Sequence, residues 1–254
     1  MAITIKSERE IELMAEAGKI LERVHNELEK ALHPGMSTKD IDTLGEKIIR
    51  SYGCIPSFLN YNGYPASICV SVNQEVVHGI PDKHRIIHEG DIVSLDAGVI
   101  YKGYHSDAAR THAVGEVSEE AKKLIQVTKE CFFEGIKYAK AGNHLFDISG
   151  AIGRYAEERG YGVVRDLCGH GIGTALHEAP EIPNYEVGRK GVKLSPGMTL
   201  AIEPMINIGT YEVDWLDDDW TVVTRDGSLS AHYENTILIT EGEPRILSLT
   251  CDNE

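Results

Sequence analysis

The sequence is poor in positive charge: 25 Lys and Arg stand against 40 Asp and Glu, a formal charge of −15 with a pI near 5.2. A surface of that sign repels phosphate backbones and acidic membranes, which argues against nucleic acid as the main ligand. No uninterrupted apolar run reaches the ~18 residues of a membrane span, and the opening MAITIKSERE has no apolar signal-peptide core. A cytoplasmic protein with no membrane partner is expected. The five cysteines, Cys54, Cys69, Cys131, Cys168 and Cys251, include no Cys-x-x-Cys pair. An odd number at wide spacing fits reduced thiols and excludes a cysteine-built zinc site. No low-complexity tract or long linker divides the chain. What is present is 42% hydrophobic over 254 residues, enough for one large domain or two small ones.

Ser7-x-x-Glu10 reads as a capping box, followed by a helical stripe of Ile11, Met14, Leu21, Val24 and Leu28 that His33-Pro34-Gly35 stops. Residues 118–140 predict a similar helix, stopped at Gly142. Each is followed by a second helical stretch, 36–53 and 143–160. Gly35, Asp40, Ile41 and Gly53 recur as Gly142, Asp147, Ile148 and Gly160, all at an offset of 107, which also carries Gly90 onto Gly197 and Asp96 onto Glu203. This predicts two related halves, about 1–115 and 116–254, each of two helices followed by strands. Strands are expected at 91–100 and 104–113 around Tyr101-Lys102-Gly103, and at 198–208, 211–216, 220–224 and 229–240 with Asp217–Asp219 at one tip. Hairpins make antiparallel sheets. The predicted class is α+β, a central antiparallel sheet with helices on its outer face and internal pseudo-twofold symmetry.

The stretch DIVSLDAGVIYKGYHSDAA sets Asp96 and Asp107 into strands whose other residues belong in a core. With the tip centred between Tyr101 and Lys102, the two carboxylates face each other. Carboxylates that close need a shared proton or a cation between them. Glu203 in MTLAIEPMI, held extended by Pro204, and Glu234 in AHYENTILIT pose the same problem. A twofold brings Asp96 and Glu203 together, and four carboxylates then converge on one sheet centre. Unpaired there they would cost several kcal/mol each, and two divalent cations would neutralise them. His170, in the glycine-rich LCGHGIGTALHEAP, is the natural nitrogen ligand. This oxygen-dominated set suits Mn²⁺, Fe²⁺ or Co²⁺ at least as well as Zn²⁺. Paired ions activate a water and polarise a carbonyl, which is hydrolytic chemistry. His25, His33, His84, His88 and His144 read as hydrogen-bonded core residues; His105, His112 and His232 stay open. Asp217–Asp219 and Glu119-Glu120 read as solvated charge.

These motifs resemble the type I methionine aminopeptidases, in their short form, over essentially the whole chain. The resemblance rests on YNGYPASICVSVNQEVVHGIPD (61–82), the aspartate hairpin, CGHGIGTALHEAP (168–180), PGMTLAIEPM (196–205) and WTVVTRDGSLSAHYENTI (220–237). It implies the pita-bread fold in a single catalytic domain. It implies a dinuclear-metal aminopeptidase that removes the initiator methionine from nascent proteins with a small second residue. Asp96 would chelate one ion, Asp107 and Glu234 bridge the pair, and His170 and Glu203 complete the other. A bridging hydroxide would attack the scissile carbonyl, with Glu203 as proton carrier. His177 would stabilise the oxyanion and His78 contact the peptide. Phe58, Tyr61, Tyr64, Cys69, Leu176 and Trp220 would line the methionine pocket. Phe58 stands where relatives often have Cys, and Leu176 where many have Phe. Asn73, Glu75 and Ser230 would hold a monovalent Na⁺ or K⁺. Nascent polypeptide N-termini are the expected partners, with at most transient ribosome contact, and a monomer is the default. A proline-specific peptidase of the same fold and a non-catalytic peptide binder are the alternatives; the binder tends to lose ligands that are all present here.

Overall fold

In the computed structural model, residues 3–249 are described. Helices α1 (Glu8–Ala31), α2 (Thr38–Ser51), α3 (Glu119–Ile136) and α4 (Leu145–Glu157) come as two consecutive pairs. The strands between the pairs are β1 (Ile55–Pro56), β2 (Ile68–Val72), β3 (Glu75–Val77), β4 (Ile92–Tyr101) and β5 (Tyr104–Ala113). Those after the second pair are β6 (Gly162–Val163), β7 (Gly169–Gly171), β8 (Glu178–Ile182), β9 (Thr199–Ile202), β10 (Met205–Asn207), β11 (Val213–Trp215), β12 (Val222–Thr224), β13 (Ser230–His232), β14 (Asn235–Leu238) and β15 (Arg245–Ile246). All pairings are antiparallel. A sheet with β1, β4 and β2 in order, and β5 on β4, serves the first helix pair; a five-stranded sheet β15-β14-β9-β7-β8 serves the second.

The predicted capping box on α1 is present, and the helix ends at Ala31, just before the Pro-Gly stop. α3 is shorter than expected. Tyr138 and Ala139 donate backbone bonds to Gly135 and Ile136, three residues back, so the chain tightens out of the helix well before Gly142.

The 107-residue offset is a repeat of conformation as well as of residue type. Gly35 and Gly142 have φ of 94° and 93°, Gly53 and Gly160 73° and 82°, Gly90 and Gly197 93° and 86°. Asp40 accepts from Ser37 N–H at 2.8 Å, and Asp147 from His144 N–H at 2.8 Å. The single bridges Ser37–Ile86 and His144–Lys193 pin each second helix start to the loop before its sheet. This agreement is what two related halves, expected from the sequence, would show in local conformation.

Strand alternation explains the carboxylates. Val93, Leu95, Ala97 and Val99 join Ala108 in a core with Leu21, Val24 and Ile49 of α1 and α2. The opposite face of β4 and β5 therefore carries Ser94, Asp96, Gly98, Asp107 and Ala109. In the second half Leu200 and Ile202 pack with Leu124, Phe132 and Ile148 of α3 and α4. The two sheets meet where β5 runs antiparallel to the chain at 232–236. Ala109 and Glu234 exchange two backbone bonds (3.4 and 3.0 Å). On either side the strands diverge and a threonine hydroxyl fills the gap. Thr111 Oγ1 accepts from His232 N–H and donates to its carbonyl (both 2.9 Å); Thr236 Oγ1 does the same for Asp107 (both 2.9 Å).

Candidate metal and active site

The turn of the aspartate hairpin differs from expectation. Tyr101 pairs with Tyr104, and Lys102 and Gly103, with φ of 49° and 87°, form a two-residue loop. Positive φ at both central positions matches the right-handed twist of the flanking strands. The tip is therefore centred one residue later than read from the sequence. Asp96 lies opposite Ala109, and Asp107 opposite Gly98. The carboxylates are diagonal neighbours on one face, not directly opposed. Gly98 leaves that face open: a Cβ there would lie 2.7 Å from Ser57 Cβ and 3.0 Å from the Phe58 ring.

His170 reaches the centre because glycines let its strand approach closely. A Cβ on Gly169 would lie 2.4 Å from the Ala201 carbonyl oxygen, and one on Gly171 2.2 Å from that of Ala179. His170 Nδ1 donates to the Gly171 carbonyl (2.9 Å), which leaves the Nε2 lone pair facing Asp107 Oδ2 at 3.9 Å and Glu203 Oε1 at 3.6 Å. Glu203 and Glu234 both stand at interruptions, between β9 and β10 and between β13 and β14. The Glu203 carbonyl accepts from Asn184 Nδ2 (3.0 Å), and Tyr233 N–H bonds Pro204 (3.2 Å). The Glu234 carbonyl takes Ala109 N–H and the Arg110 guanidinium, which also donates to Asn235 Oδ1 at 2.6 Å.

Asp107, His170 and Glu234 present ligand atoms within 4.8 Å of one another. Asp96 Oδ1, Asp107 Oδ1 and Glu234 Oε1 are buried without a hydrogen-bond partner. Buried carboxylate oxygens left bare, next to an imidazole lone pair, are what a divalent cation satisfies. Burial pushes the Asp96 carboxyl up to about 7, eased by a hydrogen bond with Asp107. Burial also raises Asp107, Glu203 and Glu234 well above the usual range, and their mutual charges add to it. His170 is held down to about 3 and His78 to about 4, both chiefly by burial and then by His177.

All five ligand candidates border one cavity of about 280 Å³ together with Phe58, Tyr61, Tyr64, Cys69, His78, Leu176, His177 and Trp220. Every residue proposed for the pocket from the sequence is therefore brought there. Tyr64 and Trp220 meet edge-on with ring centroids 5.1 Å apart. Tyr61 Oη and His177 Nδ1 hydrogen-bond at 3.0 Å. His78 has φ of 59°, unusual for a non-glycine residue and a strain characteristic of functional positions. Asn62, Val77, Asp166, Leu167, Cys168 and Met205 also line the cavity and were not singled out. Cys168 two residues before His170, and Met205 two after Glu203, carry the one signal that sequence offers, adjacency to a ligand.

Other candidates fall elsewhere. His232 lies 3.9 Å from Glu203 Oε2. His105 hydrogen-bonds Ser57 Oγ (3.0 Å), and His25, as expected, a core carbonyl, that of Ala108 (2.8 Å). His112 faces Glu29 behind the sheet (3.6 Å). His33, His84 and His88 are exposed rather than core, being in the loops that follow α1 and precede β4. Asp218 caps its turn, accepting from Trp220 and Thr221 N–H (2.9 and 2.8 Å), so that acidic tip is structured. Asn73 and Ser230 are joined, Ser230 N–H donating to the Asn73 carbonyl (2.9 Å), while Glu75 accepts from Val72 N–H (2.7 Å). Cys54, Cys69, Cys131 and Cys168 are free thiols; Cys251 lies outside the described residues. Among the described residues no helix is long and apolar enough to cross a membrane.

A buried cluster of carboxylates and one imidazole in a two-halved α+β fold defines a metal-dependent hydrolase, and residues 12–241 match the model of metallopeptidase family M24. A methionine aminopeptidase of Clostridium acetobutylicum is 59% identical over 97% of this chain and 99% of its own. The crystal structure of methionine aminopeptidase from Thermotoga maritima superposes with a TM-score of 0.96 at 46% identity, covering 98% of this chain and 100% of that one. A Xaa-Pro dipeptidase from Bacillus anthracis shares the fold (TM-score 0.77, 27% identity), but this chain spans 62% of it. The chain belongs to metallopeptidase family M24, within its methionine aminopeptidases, with the pita-bread fold and the divalent-metal dependence of that family.

Proposed function

We propose that this protein is a single catalytic domain that removes N-terminal methionine from nascent proteins and peptides whose second residue is small. Asp96, Asp107, His170, Glu203 and Glu234 would hold two divalent ions, Mn²⁺, Fe²⁺, Co²⁺ or Zn²⁺. When bound, such a pair lowers the pKa of a shared water and polarises the scissile carbonyl. Asp107 and Glu234, brought side by side by the backbone bonds between Ala109 and Glu234, would be shared by the pair, with Asp96 on one side and His170 and Glu203 on the other.

Glu203, whose carboxyl is raised by burial, is suited to take a proton from the attacking water and deliver it to the departing amine. Tyr61 Oη, 3.0 Å from His177 Nδ1, is placed to donate to it, which would leave the His177 Nε2–H to donate to the developing oxyanion. His78, kept neutral by burial, would contact the peptide beside the scissile bond. Phe58, Tyr64, Cys69, Leu176 and Trp220 enclose a space suited to an unbranched thioether. Asn73, Glu75 and Ser230 would form a structural monovalent-cation position. The free thiols fit a cytoplasmic setting, where nascent N-termini appear.

The observation that carries this reading is that the five candidate ligands, drawn from both halves, line one cavity with an aromatic pocket, three of them with ligand atoms within 4.8 Å of one another. The test is turnover of Met-Ala-Ser against Ala-Pro and Xaa-Pro peptides, with EDTA and then Mn²⁺, Fe²⁺ or Co²⁺ restored. Metal-dependent cleavage of Met-Ala-Ser alone is expected. Preference for the proline peptides, or no cleavage with any metal, rejects it.

A further inference from the structure

A polypeptide whose first residue sits in the aromatic pocket must leave the cavity in some direction. Past Cys168, His170 and His177 the cavity continues into an open groove of about 770 Å³ that shares those three residues with it. One side is β8, the outermost strand of its sheet. An outer strand has an edge whose main-chain groups are available to an extended peptide, here without an N–H at Pro180. The other side is the segment after β8, with Tyr185 and Val187 half-buried, and Phe146 at the start of α4.

This wall is built, not loose. Tyr185 packs so closely on α4 that a Cβ on Gly153 would lie 2.9 Å from its Cα. Asn184, beside it, donates to the Glu203 carbonyl at 3.0 Å, which ties the groove to a ligand-bearing segment. The charge in the groove is also specific. Glu178 is engaged by Lys6 at 2.7 Å, and the exposed Arg189, at the far end, lies 5.5 Å from the Phe146 ring centroid, a cation over an aromatic face. Glu181, opposite His170 in the strand register, is exposed and makes no ion pair among the described residues.

We propose that this groove binds the substrate beyond its second residue. An extended segment would lie along β8, an apolar side chain against Tyr185 and Phe146 and a basic side chain beside Glu181. The proposal rests on the methionine aminopeptidase reading and adds a selectivity determinant outside the methionine pocket. Glu181 and Tyr185 are binding residues, acting on KM rather than on the chemical step.

The metal-loaded protein is tested on Met-Ala-Ser and on the same tripeptide extended by Lys-Phe-Gly or by Glu-Phe-Gly. The Lys peptide is expected to gain about fivefold or more in kcat/KM over the tripeptide, mostly through KM, and the Glu peptide less. Glu181→Lys should reverse the Lys-over-Glu preference, and Tyr185→Ala should shrink the gain from extension. No gain on extension in the natural protein, or a charge preference that Glu181→Lys leaves unchanged, overturns the groove while leaving the aminopeptidase reading in place. Absence of cleavage even for Met-Ala-Ser defeats both. The comparison of the two extended peptides needs no variant, so a poorly folding Tyr185→Ala does not obscure the result.

Discussion

The two halves deliver their carboxylates differently. In the first, Asp96 and Asp107 lie inside unbroken ten-residue strands. In the second, Glu203 and Glu234 stand at gaps between strands of three or four residues. A short aspartate on a regular strand is aimed mainly by the pleat, with Asp107 held further by the Thr236 hydroxyl on its backbone. A longer glutamate at an interruption must be aimed by what satisfies its freed backbone: Asn184 for Glu203, and Ala109 with Arg110 for Glu234. The same pseudo-twofold therefore yields one rigid ligand set and one that depends on supporting hydrogen bonds, and variants can test each side.

The largest effect is expected from removing a ligand on either side. Asp107→Ala and Glu234→Ala should each lower kcat/KM by about 10³-fold or more and reduce bound metal, since neither half can hold the pair alone. Metal analysis with peptide turnover checks this. Retention of a tenth of the activity by either variant would break the idea of a shared centre.

Next come the supports. Arg110→Met removes a donor to the Glu234 carbonyl, and metal affinity should fall about 10–100-fold with Asp107 and Glu234 intact. The hydroxyl bridges allow a finer comparison. Thr111→Val and Thr236→Val each strip two bonds from the joint and should cost about 1–3 kcal/mol by chemical denaturation. Only Thr236→Val, which frees the Asp107 backbone, should also weaken metal binding. Equal metal affinity in the two variants would show that the joint holds the fold but does not aim Asp107.

The pH dependence of metal binding follows from Asp96. Its carboxyl, held near 7 without metal, must lose its proton to coordinate. Protons therefore compete below 7. Asp107, Glu203 and Glu234, also raised by burial, must lose protons as well, so affinity should rise steeply with pH toward 7, with proton release. Calorimetric titration in buffers of different ionisation enthalpy measures both. An affinity that falls with rising pH over 5.5–7 contradicts the buried carboxyl assignment.

The smallest effect probes the repeat itself. Gly53 and Gly160 end the second helix of each half with φ of 73° and 82°, and a Cβ at either would meet nothing within 4 Å. Ala at either position should cost about 1–2 kcal/mol through backbone strain alone, and by nearly equal amounts. Unequal costs would show that the halves share sequence spacing but not local energetics.

Taken by itself, the sequence determined the repeat, the capping box of α1, the class of fold and the five candidate ligands, because these depend on local chemistry and periodicity. A glycine at a positive-φ turn, an Asp at the third helical position and a carboxylate in an apolar strand each announce themselves within a few residues. Only the tertiary structure decided the register of the aspartate hairpin, where a Lys-Gly turn shifts the centre by one residue. Tertiary structure also decided the threonine bridges, the Arg110 support and the lining contributed by Asp166, Leu167 and Met205. These are long-range hydrogen bonds and contacts between segments more than a hundred residues apart, such as Asp107 with Thr236, whose energy appears only when both halves are in place.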